Sequence, residues 1–281
     1  MTIALTGATG QLGSLVVEAL LRTEKPESIV AIVRDRAKAS PLSERGVQVR
    51  VADYTDRAAL TEALRGVDRL LLISSPTVGQ REAQHANVID AASAAGVPHI
   101  VYTSATRATT SDLVLAPEHK ATEQKLAESG LQVTLLRNNW YHENFLGNVE
   151  PARHTGVLLG AAADGRVASA ARRDYADAAA AVLVGEGHEG RTYELGAPTS
   201  WDYDDLAAAL SEVVGREVVY QRVSAEELVA ALTAAGLDEG TAGFVAAIDQ
   251  NIADGSLDEP SPVLEQLIGR PITPLAESLR G

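Results

Sequence analysis

The sequence contains no cysteine among its 281 residues. Disulfide bonds, thiolate nucleophiles and cysteine-ligated metals are therefore excluded. No pair with the short spacing of zinc ligands occurs among the six histidines, which are His85, His99, His119, His142, His154 and His188. Because the chain also lacks a G-x-S-x-G elbow and a G-x-x-x-x-G-K-[ST] loop, we expect no metal site, serine hydrolase site or P-loop.

Positive charge is scarce, since 24 Lys and Arg stand against 38 Asp and Glu, a formal net charge of −14. A field of that sign repels phosphate backbones and anionic lipid, so we expect neither nucleic-acid nor membrane binding. No apolar run approaches the roughly 20 residues that span a bilayer. The first residues, Met1 to Thr6, lack the basic leader of a signal peptide. We therefore expect a cytoplasmic protein.

Short apolar runs alternate with helix-like segments through the first half of the chain. Most runs are continuously apolar, which is typical of strands buried on both faces. This alternation predicts an α/β fold with a parallel sheet and helices on both sides. The predicted strands are 3–6, 29–33, 47–52, 69–74, 100–103 and 133–136, and a further strand is predicted at 192–195.

The pattern changes near residue 138, after which Ala-rich helices dominate. A helix is predicted at 174–184 and another at 202–214 with Asp202 as N-cap, and Ser224 with Glu227 has the spacing of a capping box. No flexible tract marks the boundary, so we predict two parts, 1–137 and 138–281, that share one body. The stretch 238–262 is predicted to form either a lid or a packing surface.

Three glycines, Gly7, Gly10 and Gly13, lie at the junction of the first strand and the first helix. In a dinucleotide-binding turn the first glycine permits the tight turn, the second lets the backbone approach a pyrophosphate, and the third lets the helix pack closely. The free N–H groups of the helix N-terminus then face the anion. The segment Thr6 to Gly13 therefore predicts a dinucleotide site.

The residues after the second strand bear on the choice of cofactor. Arg34 follows the apolar run directly, and its guanidinium can hold a 2′-phosphate through forked hydrogen bonds. The neighbouring Asp35 could instead accept a hydrogen bond from a 2′-hydroxyl. We therefore predict NADPH, and the acid leaves NADH open.

Several segments resemble the NmrA-like branch of the atypical short-chain dehydrogenases, and within it the bacterial type 2 NAD(P)H:quinone oxidoreductases. They are Thr6 to Gly13, Leu70 to Ser75, Tyr102 to Ser104, Leu136 to Asn144 and Ser169 to Tyr175. The resemblance extends to Gly269-Arg270-Pro271 and so covers nearly the whole chain. It implies a Rossmann domain with a doubly wound parallel sheet, and a small α/β C-terminal substrate domain. Cofactor and quinone are expected in the cleft between them.

The resemblance also implies which residues contact the cofactor. Those expected at the pyrophosphate, the 2′-phosphate and the adenosine are Gly7, Thr9, Gly10, Gln11, Leu12, Gly13, Arg34, Ser74 and Ser75, with Thr103 at the end of the fifth strand. Asp53 suits the adenine amino group, and its alternative role is a turn aspartate before Thr55. Those expected near the nicotinamide and quinone are Asn138, Trp140, Tyr141 and Arg172.

The Tyr-x-x-x-Lys pair of alcohol-oxidising short-chain dehydrogenases is absent, because none of the four lysines follows a tyrosine at that spacing. The corresponding helix carries His119 and Glu123, which we interpret as a surface pair. A quinone does not need that acid, since hydride transfer makes its ring aromatic and water can protonate the product. Positioning by hydrogen-bond donors then suffices. The candidate catalytic residues are Asn139, Tyr141 and His142, of which Tyr141 or His142 could donate a proton.

Two functions follow from this resemblance. The first is two-electron reduction of small quinones by hydride transfer from NADPH. Homodimers are common in the family, and the sequence itself does not fix the oligomeric state. The second is a non-enzymatic NADP(H)-binding redox sensor of the NmrA type, which also lacks the tyrosine–lysine pair. Closeness to the quinone reductases through residues 137–144 favours the enzyme.

Overall fold

The computed structural model describes residues 1–280 as a series of alternating strands and helices. The strands are β1 (Ile3–Thr6), β2 (Ile29–Val33), β3 (Gln48–Val51), β4 (Arg69–Leu72), β5 (His99–Ala105), β6 (Gln132–Asn138), β7 (Val157–Gly160), β8 (Thr192–Leu195) and β9 (Val219–Arg222). The helices are α1 (Gln11–Leu20), α2 (Ser40–Glu44), α3 (Arg57–Ala63), α4 (Arg81–Ala95), α5 (Ala116–Glu128), α6 (Val149–Thr155), α7 (Arg172–Val184), α8 (Tyr203–Val214), α9 (Ala225–Ala234), α10 (Glu239–Ala253), α11 (Val263–Ile268) and α12 (Leu275–Ser278). Short 3-10 helices cover Pro26–Ser28, Ala37–Ala39 and His142–Asn148.

Seven strands form one sheet in the order β3-β2-β1-β4-β5-β6-β8. Every pairing from β3 through to β6 is parallel. The first six strands have the order of a doubly wound Rossmann sheet, in which ligands bind where the strand order reverses. That reversal lies between β1 and β4, and the predicted fold class is confirmed.

Burial along the strands explains why the sequence pattern predicted most of them. Strands β1, β2 and β5 are buried along their whole length, in agreement with their continuous apolar runs. The edge strand β3 is more exposed, and Val51 lies largely in solvent. Strand β6 alternates between buried and partly exposed residues.

The chain divides into two compact units. The first comprises residues 1–109, 115–138 and 172–194, and the second comprises 110–114, 139–171 and 195–281. Residues 172–194, which form α7 and most of β8, therefore belong with the sheet rather than with the second part that the sequence predicted. Helix α7 is rich in small buried residues such as Ala176 and Ala179, and it packs against α1.

The second unit contains a two-stranded parallel sheet of β7 and β9 with short helices around it. Both predicted capping motifs are confirmed. Asp202 and Asp205 form a capping box at the start of α8, and Ser224 and Glu227 form another at the start of α9. No helix within residues 1–280 has both the length and the apolar character needed to cross a membrane.

The stretch 238–262 forms a packing surface, because hydrogen bonds of Asp249 and Gln250 hold its main helix, α10, against other residues of the second unit. Asp249 accepts hydrogen bonds from the Tyr203 hydroxyl and, at 2.7 Å, from the N–H of Ala161. Gln250 donates to the carbonyl of Ala161 at 3.1 Å. Burial raises the pKa of Asp249, since the apolar surroundings disfavour its charged form.

The junction of β1 and α1 depends on the absence of a side chain at Gly13. A Cβ built on Gly13 would lie 2.2 Å from the carbonyl oxygen of Gly7 and 2.8 Å from the Cα of Ala8. Both neighbours are main-chain atoms, which cannot rotate away as a side chain can. The helix therefore packs directly on the turn that follows β1.

We predict that Gly13→Ala lowers the free energy of unfolding by about 1–3 kcal/mol, because the turn must shift to admit the methyl group. The control is Gly243→Ala inside α10, where an added Cβ meets no atom within 4 Å. Gly243→Ala is expected to raise the free energy of unfolding by roughly 0.5–1 kcal/mol, because alanine has a higher helix propensity than glycine. Urea unfolding of both variants measures the difference. Equal stability of Gly13→Ala and the unsubstituted protein would contradict the packing described for the turn.

Candidate cofactor site

The glycine turn lies at the carboxyl end of β1, beside the point where the strand order reverses. Gly7 has a φ of +62°, a conformation that glycine adopts without strain. The N–H of Gly10 donates to the carbonyl of Gly7 at 2.9 Å and closes the turn. Gly10 is the N-cap of α1 and contributes no capping side chain, and no acidic residue lies in the first turn. The helix N-terminus thus presents N–H groups without a competing negative charge.

This turn fits a pyrophosphate. Thr9, Gly10 and Gln11 are exposed at the surface of the turn. The N–H of Gln11, the first residue of α1, is accessible to an anion because it has no acceptor within the helix. A side chain on Gly10 would lie on the surface that a phosphate must approach. Leu12 and Gly13 are buried instead. Both residues contribute to the packing of α1. Only their main-chain N–H groups could bind an anion.

Arg34 lies immediately beyond β2, as the sequence predicted, and it is exposed. The carboxylate of Asp35 accepts a hydrogen bond at 2.8 Å from the N–H of Ala37, at the start of a 3-10 helix. Asp35 therefore closes a local turn. Arg34 and Asp35 therefore differ in their surroundings. One oxygen of Asp35 is bound to the backbone, whereas Arg34 is an exposed residue at the end of the strand.

Asp53 has the role of a turn aspartate. Its Oδ1 accepts hydrogen bonds from the hydroxyl of Thr55 at 2.6 Å and from the N–H of Thr55 at 2.8 Å. These bonds hold the pKa of Asp53 below its ordinary value, and the positive charge of Arg34 lowers it further. Of the two roles considered for Asp53, the structure supplies the contacts of the turn, and its contact with adenine stays a prediction.

Residues 73–75 continue beyond β4 with their N–H groups held by side chains from three different elements. The N–H of Ile73 donates to Thr6 Oγ1 at 3.1 Å, and that of Ser74 donates to Thr103 Oγ1 at 2.9 Å. The N–H of Ser75 donates to His85 Nε2 at 2.9 Å. We call residues 73–75 the β4 exit. Its conformation is set by these side chains.

The structure shows where Ser74, Ser75 and Thr103 lie, and their contacts with a cofactor stay predictions. Strand β4 ends at Leu72 and β5 runs on to Ala105, so the serines lie past one strand and Thr103 lies within the other. Thr103 is almost fully buried, and its hydroxyl holds the β4 exit. Its position favours an indirect role. Ser74 is partly exposed and is better placed than buried Ser75 to meet a ligand.

Two further side chains hold carbonyl groups of the β4 exit, and the sequence reasoning missed both. The Tyr54 hydroxyl donates to the carbonyl of Ile73 at 2.9 Å, and Arg81 Nε donates to the carbonyl of Ser75 at 2.8 Å. A signal was available for Arg81. It shares the buried face of α4 with His85, Val88, Ile89 and Ala92, a helical spacing that places two polar residues in an otherwise apolar row.

The interpretation of His119 and Glu123 as a surface pair is wrong, because both side chains are buried. His119 Nδ1 lies 2.7 Å from the Tyr102 hydroxyl, and Ser104 donates to Glu123 at 2.6 Å. Burial and the charge of Arg81 lower the pKa of His119 to about 3, which keeps its ring neutral. Helical periodicity placed the pair on one face but did not show that this face meets β5.

Glu123 pairs with Arg137, which lies in β6. Arg137 donates to both oxygens of Glu123, at 2.9 Å and 2.6 Å, and to Glu194 at 2.9 Å. The hydrogen bonds with Glu123 and Glu194 raise the pKa of Arg137 above its ordinary value. This ionic cluster joins α5, β6 and β8. The ionic cluster explains why the carboxylate of Glu123 is buried on α5, and this explanation needs no catalytic role for Glu123.

Asn138 and Arg172 belong to the unit that carries the sheet. Asn138 is the last residue of β6 and is largely buried, and its carbonyl accepts a hydrogen bond from the N–H of Thr106 at 3.0 Å. Arg172 is the first residue of α7 and is partly exposed. Their roles toward a cofactor stay predictions.

Asn139 and His142, two of the three candidate catalytic residues, are engaged in structural hydrogen bonds of the second unit. Asn139 Oδ1 accepts from the N–H of Trp140 at 2.7 Å, and its Nδ2 donates to the carbonyl of Leu257 at 3.2 Å. His142 Nε2 lies 3.0 Å from the carbonyl of Ser169, and Nδ1 lies 3.0 Å from Ser278 Oγ. Because the ring of His142 is buried with partners at both nitrogens, this geometry does not favour a proton donor.

Trp140 and Tyr141 are only partly buried, so neither is a core aromatic residue. The main chain of Tyr141 bridges to Ala170, and the N–H of Ala170 donates to the carbonyl of Trp140 at 3.2 Å. These hydrogen bonds hold the main chain of Trp140 and Tyr141. They do not involve the aromatic rings of these residues. Of the candidate catalytic residues, Tyr141 alone is not buried.

Comparison with known proteins agrees with this geometry. Quinone oxidoreductase 2 of Escherichia coli K12 is 53% identical over 277 residues, which cover 99% of this chain and 97% of that protein. The crystal structure of NADPH-dependent quinone oxidoreductase from the same species, complexed with NADPH, matches with a TM-score of 0.96 at 52% identity and covers 99% of this chain and 98% of that chain. The structure of triphenylmethane reductase from Citrobacter sp., complexed with NADP(H), matches with a TM-score of 0.96 at 43% identity and covers 99% of each chain.

The profile of the NmrA-like family matches residues 1–276, which is almost the whole sequence. The resemblance predicted from the glycine turn and the segments that follow it is therefore confirmed, together with the Rossmann fold. The chain belongs to the NmrA-like family.

Proposed function

We propose that this protein is an NAD(P)H-dependent oxidoreductase that reduces quinones by two electrons, with NADPH as the hydride donor. The observation that carries the proposal is the glycine turn at the reversal of strand order, where α1 begins without a capping side chain. A phosphate accepts hydrogen bonds from such an N-terminus and is attracted by the helix dipole. The 53% identical quinone oxidoreductase of E. coli supports the choice of reaction.

The preference for NADPH rests on the contrast between Arg34 and Asp35. The guanidinium of Arg34 extends beyond β2, the position from which a 2′-phosphate is bound in this fold. One oxygen of Asp35 accepts a hydrogen bond from the N–H of Ala37, so this carboxylate already has a structural role in the turn after β2. Two relatives crystallised with NADPH or NADP(H) support the same preference.

In the proposed reaction the protein supplies position rather than acid–base chemistry. Bound NADPH would supply the hydride and its two electrons to the quinone ring. No Tyr-x-x-x-Lys pair is present, and His119 and Glu123 are engaged in buried contacts. Because the reduced ring is aromatic and its oxygens take protons from water, holding donor and acceptor together accounts for the rate. Tyr141 is the candidate that remains for contact with the substrate.

We predict that Arg34→Ala weakens NADPH binding by about 1.5–3 kcal/mol, the cost of a lost charge-assisted hydrogen bond, and leaves NADH binding nearly unchanged. Arg36→Ala is the matched control, because Arg36 is an exposed arginine two residues further along the chain. Titration of each variant with both nucleotides measures the affinities. An equal loss for NADPH and NADH would contradict the role assigned to Arg34.

The enzymatic function predicts that the purified protein oxidises NADPH when a benzoquinone is added, well above the uncatalysed rate. Steady-state absorbance against a panel of quinones and aldehydes, repeated with NADH, measures this. We expect turnover with quinones and none with aldehydes, because aldehyde reduction requires a proton donor at the carbonyl oxygen. Tight binding of NADP(H) without turnover of any acceptor would instead identify a redox sensor.

A further inference from the structure

A largely buried cluster of polar side chains on α4 and α5 binds the β4 exit. No step of the proposed reaction uses these side chains. Arg81 and His85 lie one turn apart on α4, and both side chains are almost fully buried. One holds the carbonyl of Ser75 and the other holds its N–H. Both main-chain groups of this residue are thus bound by side chains of the helix that follows it.

The hydrogen bonds fix which nitrogen of His85 carries the proton. His85 Nε2 accepts from the N–H of Ser75, so Nδ1 carries the proton and donates to Thr122 Oγ1 at 2.9 Å. Thr122 in turn donates to the carbonyl of Glu118 at 2.8 Å. Burial, reinforced by the charge of Arg81, lowers the pKa of His85 to about 3. The ring stays neutral at physiological pH, as this arrangement requires.

Glu118 holds the far end of the loop that runs from Ser75 to Gly79. Its Oε1 accepts a hydrogen bond at 2.9 Å from the N–H of Gly79, and its Oε2 lies 3.5 Å from Arg81 Nη1. Arg81 Nη1 also lies 3.4 Å from His119 Nε2. The guanidinium of Arg81 therefore contacts both Ser75, at the start of the loop, and Glu118, which binds Gly79 at its end. Residues 75–79 are fixed at both ends.

The loop matters because it continues the β4 exit, which adjoins the glycine turn. The N–H of Ile73 donates at 3.1 Å to Oγ1 of Thr6, the residue that precedes Gly7. The Tyr54 hydroxyl, which donates to the carbonyl of Ile73, lies 3.6 Å from the position that a Cβ on Gly7 would take. A shift of the β4 exit would therefore press on the turn or open a gap beside it. Interiors packed at this density transmit such displacements instead of absorbing them.

We propose that Arg81, His85 and Glu118 are positioning residues, which fix residues 73–79 against the glycine turn and so set the affinity for the nicotinamide dinucleotide without contacting it. This inference rests on the proposed function, because it assumes that the turn binds the dinucleotide. It assigns a role to three side chains that no step of the proposed reaction uses.

The experiment compares Arg81→Lys with Arg69→Lys in the full-length protein. Arg69 is a matched control, because it is also largely buried, lies at the amino end of β4, and donates to main-chain carbonyls, those of Leu183 at 2.8 Å and of Gly185. A lysine keeps the charge at both sites and loses the fork that reaches two partners. The dissociation constant of NADPH, measured by its fluorescence, is the main readout. The kcat, the KM for NADPH and the thermal unfolding midpoint are measured beside it.

We expect Arg81→Lys to raise both the dissociation constant and the KM for NADPH about tenfold, the scale of a lost hydrogen bond to a charged group, with kcat at saturation nearly unchanged. Arg69→Lys is expected to lower the unfolding midpoint and to leave the dissociation constant unchanged. An equal rise in both variants would overturn the proposal, because general loosening would then explain it. An unchanged dissociation constant in Arg81→Lys would overturn it as well.

Glu118→Ala is the second variant and decides the question if Arg81→Lys does not fold. Glu118 is partly exposed, so its loss leaves the N–H of Gly79 to solvent. The loss also removes the carboxylate that lies 3.5 Å from Arg81, so the thermal unfolding midpoint is measured beside the dissociation constant. We expect a rise of about threefold in the dissociation constant of NADPH, and an unchanged value counts against the proposal. Failure of the proposed function is distinguishable, because it is seen in the unsubstituted protein as absence of NADPH binding or of quinone turnover.

Discussion

The close contact between α1 and the turn after β1 sets the geometry of the sheet edge at which the candidate site lies. It exists because Gly13 has no Cβ, which would otherwise lie 2.2 Å from the carbonyl oxygen of Gly7. That contact places the N-terminus of α1 at the edge of the sheet where the strand order reverses. The positive end of the helix, the guanidinium of Arg34 and the β4 exit then belong to one edge, as ligand binding in this fold requires.

Side chains, more than regular secondary structure, shape that edge. Past the end of β4, three successive N–H groups bind to Thr6, Thr103 and His85. Buried polar groups of this kind must be hydrogen-bonded, because an unsatisfied group in an apolar interior is costly. The cost works in favour of a single conformation, since any other arrangement of the loop would leave several groups without partners. A site that binds an extended ligand benefits from such rigidity.

The sequence predicted the parts of this molecule that depend on local patterns. The strands from β1 to β6, the glycine turn and the capping boxes at Asp202 and Ser224 follow from periodicity and turn chemistry. It misplaced His119 and Glu123, because only the packing of α5 on β5 and β6 buries them. It did not anticipate that His142 has partners on both sides of its ring, since Ser169 and Ser278 lie far away in the chain. Contacts of that range leave no mark in a local pattern.

The most direct test of the central claim is amide hydrogen exchange with and without NADPH. We expect bound NADPH to slow exchange at the first N–H groups of α1, those of Gln11, Leu12 and Gly13, because these have no acceptor within the helix and would donate to the pyrophosphate. Amides of α10 in the second unit serve as the internal comparison and are expected to change far less. Saturating NADPH, verified by its fluorescence, with unchanged exchange across residues 7–13 would contradict the account.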